Sequence, residues 1–336
     1  MPDVVTLAEQ FSAALFKRDA AALSRISEAY AQIYNSLEDK IDALTLEIGE
    51  QAPTPGQVAR MARFKSLLKQ TSEQLTDFQG YLKTEIKAQS LDAISLGVDH
   101  AAKLVGAAAT GDAVVLAGFN HLSKGAIEKL LGFLDPTGPL YARINSLAPT
   151  TSDLVRQKII EGVGLGYNPR KIAAQIQNAF GQGLTDALRT TRTVQLYSYR
   201  EAKRATYVAN SDIVSGWYWF AHLGDNRVCM SCVAMHGTWH SNEETLDDHY
   251  NGRCDAIPAV VGFDNPIEQN GEAWFNQLDE SQQRSMMGTQ YYQAWKDGAF
   301  TIGDLSRQKP DDVYGQMRSV APLYDLLGAE PPIRTK

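Results

Sequence analysis

The sequence predicts a mainly α-helical protein carrying one small cysteine-rich α+β element, and three observations predict it. Apolar residues recur in steps of three and four along two long N-terminal stretches. Helical patterns punctuated by glycine and proline fill the middle of the chain. All three cysteines then fall within residues 229–254, just after an aromatic, β-rich run.

The first stripe runs Ile26, Tyr30, Ile33, Leu37, Ile41, Leu44 and Ile48, one face of an amphipathic helix over about residues 19–49. After a break, Thr54-Pro55-Gly56-Gln57 joins a capping-box pattern to proline at the first helical position. A second stripe follows through Val58, Met61, Leu68, Leu75, Phe78, Leu82 and Ile86, with weaker helical pattern to about residue 108. Residues 1–108 therefore read as a long N-terminal helical hairpin, extending on the order of 45 Å at about 1.5 Å per residue. Either it projects as an arm toward another protein or it packs as a bundle on its own chain.

Small residues at 107–118 mark a boundary, so residues 109–150 read as a linker with short helices. One is expected at 122–134, before the turn Asp135-Pro136-Thr137-Gly138-Pro139. A helical middle domain follows, with a helix near 153–162 and another opened by Asn168 as N-cap and Pro169 at its first position. Gly181 and Gly183 are expected to end that helix near Phe180, and a longer one runs over about 185–209. Gly162-x-Gly164-x-Gly166 lacks the spacing of a phosphate loop. Bundle packing accounts for the short helices around Asn168 without a DNA-reading helix-turn-helix.

At 100° per residue on the 185–209 helix, Arg189, Arg192, Arg200, Lys203 and Arg204 share one stripe, with Leu196 and Tyr207. Ala187, Thr191, Val194, Ser198, Ala202 and Ala205 lie opposite. Small side chains admit a close neighbour, so that side is expected inside and the basic side outward. The basic stripe is then a candidate contact for nucleic acid or an acidic partner, the bland alternative being a solvated face paired with acids such as Glu201.

Residues 214–221 (VSGWYWFA) read as a strand, with a partner strand at 257–261. Between them Cys229, Cys232, His249 and Cys254 form C-x2-C-x16-H-x4-C, the spacing of a structural zinc site. Three thiolates and one imidazole fill a tetrahedron, so the metal would staple the loop and leave no open position for a substrate water. His236 and His240 are rival ligands within the loop. The fold class is thus mainly α, with a small zinc-stapled α+β element.

The 336 residues carry a net charge of −7, which argues against a protein whose whole surface grips nucleic acid. Residues 101–119 are interrupted by Lys103 and Asp112 and are too polar for a membrane span. No secretory signal is visible at the first residues, so a reducing cytoplasm is expected, where cysteines serve a metal in preference to disulfides.

Asp225-Asn226-Arg227, the C-x2-C, His236-Gly237 and the closing His249-x4-Cys254 resemble the signature of the phage Mu F-like minor head proteins, the head-morphogenesis family. Their closing segment often reads H-P-x-C-R-C. Here Tyr250 stands for the proline and Gly252 for the first cysteine, while Arg253-Cys254 match, so Cys254 is the expected metal ligand. Thr191-Arg192-Thr193-Val194 corresponds to the family's R-T-E helix with valine for glutamate, and the role of that acid does not transfer. Residues 271–305, short helices punctuated by Gly288 and Asp297-Gly298, are similar too.

The resemblance spans residues 151–305 with the zinc knuckle at 225–262, leaving 306–336 as a proline-rich tail expected to order on a partner. It implies a minor capsid protein of a tailed phage or prophage, made in the host cytoplasm and incorporated inside the capsid near the portal vertex. The implied partners are the portal protein, scaffold or major capsid protein, with packaged DNA as a further contact. The implied role is support of procapsid assembly and of DNA packaging or ejection, with a structural Zn2+, no membrane and no small-molecule substrate.

The competing class is a zinc-dependent nucleic-acid-binding module or nuclease. An HNH-type nuclease needs a second histidine after the knuckle, and none follows His249. A deaminase site needs an upstream H-x-E, also absent. Asp247 and Asp248 are adjacent and expected to point apart, so a contact to the ligand histidine or simple solvation is expected of them in preference to acid–base catalysis. No enzymatic activity is expected.

Overall fold

The computed structural model describes residues 3–122, 125, 137–224 and 227–329. The helix expected at 122–134 falls almost wholly outside these residues, as do Asp135, Pro136, Asp225, Asn226, Pro331 and Pro332. The protein is mainly helical, with a small antiparallel strand region toward its C-terminal part.

Two compact units are present: Met1–Phe16, Leu91–Leu131 and Leu196–Lys336 form one, Lys17–Ser90 and Gly132–Gln195 the other. They cut across the linear division at 108, 150 and 305, because three long helices each contribute to both. These are α1 (Val4–Gln51), α3 (Ala62–Ala108) and α6 (Pro169–Val208). Asp3 accepts from the Thr6 amide at 2.9 Å, which starts α1 well before the expected residue 19. Between α1 and α3 lies α2 (Pro55–Val58), capped by the Thr54/Gln57 box read from the sequence. Among the described residues, no helix is long and apolar enough to cross a membrane.

In the second unit α1 and α3 run antiparallel. Glu47 meets Arg63 at 3.4 Å, Ser36 meets Gln74 at 2.8 Å, and Arg25 pairs with Glu85, so each step up one helix matches a step down the other. The hairpin here is no free arm. Tyr30 and Tyr34 set their ring edges against Phe180 of α6, at 6.3 and 5.7 Å between centroids. Helix α5 (Pro139–Gly164) starts earlier than expected, with Pro139 in its first turn and Pro149 inside it. Proline has no N–H for the carbonyl four residues before it, and Gln79 of α3 supplies the missing donor to Asn145 O at 2.7 Å.

Gly181 and Gly183 do not end a helix, since α6 runs unbroken from Pro169 to Val208. The Asn168 cap stands as read, its Oδ1 accepting from the Lys171 amide at 2.9 Å. Gly183 is a packing residue: a Cβ there would lie 2.4 Å from both Thr151 Oγ1 and Tyr30 Oη. Alanine usually gains about 1 kcal/mol over glycine inside a helix. Here Gly183→Ala is expected to lower stability by about 1–3 kcal/mol through overpacking, read as a fall in the urea midpoint. A rise in the midpoint would contradict the close approach.

In the first unit, α4 (Ala113–Gly118) begins at the Asp112 cap. Strand β1 (Val214–Phe220) is central in a three-stranded antiparallel sheet, flanked by β2 (Trp239–His240) and β3 (Asp255–Val260). Trp217 faces Pro258 across the β1/β3 ladder, and Pro258, lacking an N–H, is tolerated because β3 is an edge. Between β1 and β2 sits α7 (Met230–Met235). Beyond β3 come α8 (Gly271–Gln277), α9 (Glu280–Met287) and α10 (Thr289–Lys296), punctuated at Gly288 and Gly298, both at positive φ.

Residues 306–329 of the tail are ordered, contrary to expectation. Residues 306–320 form an antiparallel hairpin of β4 (Ser306–Asp311) and β5 (Gly315–Val320), followed by α11 (Leu323–Leu326). Tyr314, Met317 and Ala321 are buried, and the Arg318 amide donates to Asp247 O at 2.6 Å. Backbone pairing plus buried apolar contact orders the segment without a partner chain.

Candidate metal centre

The centre is built on the sheet's own core, where Trp217, Trp219, Tyr207, Cys232 and Cys254 are buried together. Cys229 caps α7, its sulfur accepting from the Cys232 amide at 3.4 Å. That short turn brings Cys229 Sγ and Cys232 Sγ to 3.3 Å. His249 arrives from the loop before β3, with Nε2 3.3 Å from Cys232 Sγ. Its Nδ1 lies 2.8 Å from Tyr250 O, which can only accept, so Nδ1 carries the proton and the Nε2 lone pair is left for a metal.

Cys229, Cys232 and His249 place one ligand atom each within 4.8 Å of one another, and so do Cys232, Asp248 and Cys254. Cys232 is common to both sets. The four residues read from the sequence form a cluster that could hold a metal ion. The rival histidines are occupied elsewhere: His236 Nδ1 accepts from the Ala221 amide at 3.0 Å, and His240 stacks on Trp217 and bridges Thr238 to Glu244.

The electrostatics suit a cation. The Cys232 hydrogen bond, with help from His249, pulls the Cys229 thiol down to about 4, so Cys229 holds a thiolate. Burial opposes a charged His249, but its bond to Cys229 and the nearby Asp248 carboxylate raise it to about 10. Cys232 is pushed well up by its sulfur neighbours, Cys229 first and Cys254 next. Negative charge is crowded here, and a divalent cation that displaces the protons relieves the crowding.

Asp247 and Asp248 point apart, as expected of neighbours. Asp247 Oδ1 accepts from Arg318 Nε at 2.8 Å, tying the β4–β5 hairpin to the loop. Asp248 is buried inside the loop, where Oδ1 accepts from the His249 amide at 2.8 Å and Oδ2 from the Cys254 amide at 3.0 Å. Oδ1 is also 3.7 Å from Cys232 Sγ. This carboxylate occupies the space above residue 252, since a Cβ at Gly252 would lie 2.1 Å from Asp248 Oδ2.

The basic stripe needs correction. Its five residues do share one face of α6, but Arg200 is only 7% exposed and Lys203 is 0% exposed. Arg200 donates to Cys254 O, Gly252 O and Asp248 Oδ2, while Lys203 Nζ is 2.7 Å from Asp255 Oδ1. Arg204 pairs with Glu201 at 3.0 Å, Arg192 with Asp19 at 2.6 Å and Arg189 with Asp186 at 2.6 Å. The opposite face is buried as expected, from Ala187 to Ala205. Arg200 and Lys203 point inward because the loop supplies buried carboxylates, and a buried charge without a partner is costly. They are internal counter-ions and no outward nucleic-acid contact.

Sequence reasoning missed Arg200 and Arg318 as supports of the loop, and Asp248 as a donor-distance neighbour of two cysteines. Gly252, four residues after Asp248 and next to Arg253-Cys254, was the one local signal of the last. No family model matches the chain, nor does any curated protein or solved structure.

Proposed function

We propose that this chain is a minor head protein of a tailed phage or prophage, stapled by one structural Zn2+ on Cys229, Cys232, His249 and Cys254. The observation that carries the reading is a coincidence of motif and geometry. The residues that resemble the Mu F-like signature include Cys229, Cys232, His249 and Cys254, whose donor atoms gather in a sulfur-rich cluster around the buried Cys232. Three thiolates and an imidazole match zinc's preference for soft and borderline ligands. All four positions of a tetrahedron would be filled by protein, which suits a staple and leaves no site for an activated water.

On this reading the protein enters the procapsid in low copy near the portal vertex and contacts the portal protein, scaffold or major capsid protein. The loop, with the β4–β5 hairpin tied to it through Asp247, keeps its shape for that contact. The competing reading, a nucleic-acid-binding module or nuclease, loses its main support with the burial of Arg200 and Lys203.

Two measurements test the proposal together. Elemental analysis of protein purified without chelator is expected to find one zinc per chain, and affinity capture is expected to retain the portal protein encoded beside it. Protein that carries no metal, or that ignores the portal protein and cleaves duplex DNA, would overturn it.

A further inference from the structure

We infer that Arg200 is the positioning residue of the metal centre, acting through Asp248 and the Gly252–Cys254 backbone to hold Cys254 at the ion. The inference rests on the cluster being a metal site.

The donors are not equally pre-placed. Cys229, Cys232 and His249 already lie within 4.8 Å of one another, whereas Cys254 joins a second set through Cys232 and Asp248. A tetrahedral zinc with sulfur and nitrogen ligands needs donor separations of roughly 3.5–3.8 Å, from bond lengths of about 2.0–2.3 Å. Cys254 is therefore the ligand with the furthest to come. It is also the one whose main chain is gripped on both sides.

Arg200 Nε donates to Cys254 O at 2.9 Å, and Arg200 Nη2 donates to Gly252 O at 2.8 Å and to Asp248 Oδ2 at 3.0 Å. The same Asp248 oxygen accepts from the Cys254 amide. One guanidinium and one carboxylate thus fix the carbonyl and the N–H of Cys254, while Asp248 Oδ1 fixes the His249 amide. The side chains of Arg200 and Asp248 are 7% and 1% exposed, so water competes for none of these bonds. Gly252 is part of the device, because any side chain there would collide with the Asp248 carboxylate.

Charge adds to geometry. Three bound thiolates and Asp248 carry more negative charge than a divalent ion cancels, and Arg200 is a cation in direct contact with the Asp248 carboxylate. Only a planar fork makes these three bonds at once, which lysine's single ammonium does not.

Metal-free full-length protein is titrated with zinc against a chromophoric chelator, and with cobalt(II) while its thiolate charge-transfer and d–d bands are followed. The wild type is compared with Arg200→Lys, Arg200→Met and Asp248→Asn, and urea midpoints of the metal-free forms are measured in parallel. Arg200→Met and Asp248→Asn are expected to weaken zinc binding about 10–100-fold, with an altered cobalt d–d envelope. Arg200→Lys is expected to recover only part of the loss. Wild-type affinity and an unchanged cobalt spectrum in the variants, whatever their metal-free stability, would overturn the inference and reduce Arg200 to an ordinary buried ion pair. A wild type that binds neither metal would instead overturn the metal centre itself. Should Arg200→Met fail to fold, Asp248→Asn, nearly isosteric, decides alone.

Discussion

Cys232→Ser is expected to abolish metal binding and to release the whole loop from residue 227 to residue 254. Cys232 is the donor common to both clusters, its sulfur lying 3.3 Å from Cys229 Sγ and 3.3 Å from His249 Nε2. Structural zinc contributes roughly 10–16 kcal/mol of apparent binding free energy, which in a small loop becomes local folding energy. The long helices draw their stability from other cores, so far-UV ellipticity should fall little. Hydrogen exchange should lose protection at residues 227–254, and trypsin should cut at Arg227 and Arg253. His240→Ala, by contrast, is expected to keep the metal, since His240 is engaged by Thr238 and Glu244. Metal retained by Cys232→Ser, or lost with His240→Ala and kept by His249→Ala, would refute this ligand set.

Lys203→Met is expected to destabilise the protein by about 3–5 kcal/mol, the usual cost of stranding one partner of a buried ion pair. Lys203 is fully buried, and burial lowers its pKa, so its ammonium depends on the Asp255 carboxylate beside it. Asp255 Oδ1 also accepts from the Ala256 amide at 2.8 Å, whereas Oδ2 is buried with no partner. A pair satisfied on one side only is a poor source of net stability. Removing its charge should therefore restore most of what the single change loses: Lys203→Met with Asp255→Asn is expected to regain at least half of the lost urea midpoint. A single variant as stable as wild type would show that water reaches Asp255. A double variant no better than the single would show that the ammonium itself, through its packing against Tyr199 with Nζ 5.3 Å from the ring, is what matters.

Much of the chain was legible because its signals are local. The Ile26 to Ile48 stripe is buried throughout, and the Thr54/Gln57 box and the Asn168 cap form as read. Each involves groups within a few residues of one another, where spacing alone fixes geometry. The strand at 214–221 and its partner were legible for the same reason, from β-branched and aromatic runs. The reading failed where a local signal had a distant competitor. Gly183 looked like a helix stop, yet Tyr30 and Thr151 crowd it, and tertiary packing outweighs a propensity of about 1 kcal/mol. The tail looked like a segment that needs a partner to order because of its prolines, yet Pro310 sits opposite Gln316 in a hairpin.

The sequence by itself determined the helical hairpin, the helix caps and the convergence of cysteines and a histidine at one loop, since all of these follow from periodicity and short spacing. It also determined that five basic side chains share one face of α6. Only the tertiary structure decided which way that face looks. Arg200 and Lys203 meet Asp248 and Asp255 across about fifty residues of chain. A helical wheel records angle and not neighbours, whereas the cost of burying a charge is settled entirely by the partner the fold delivers.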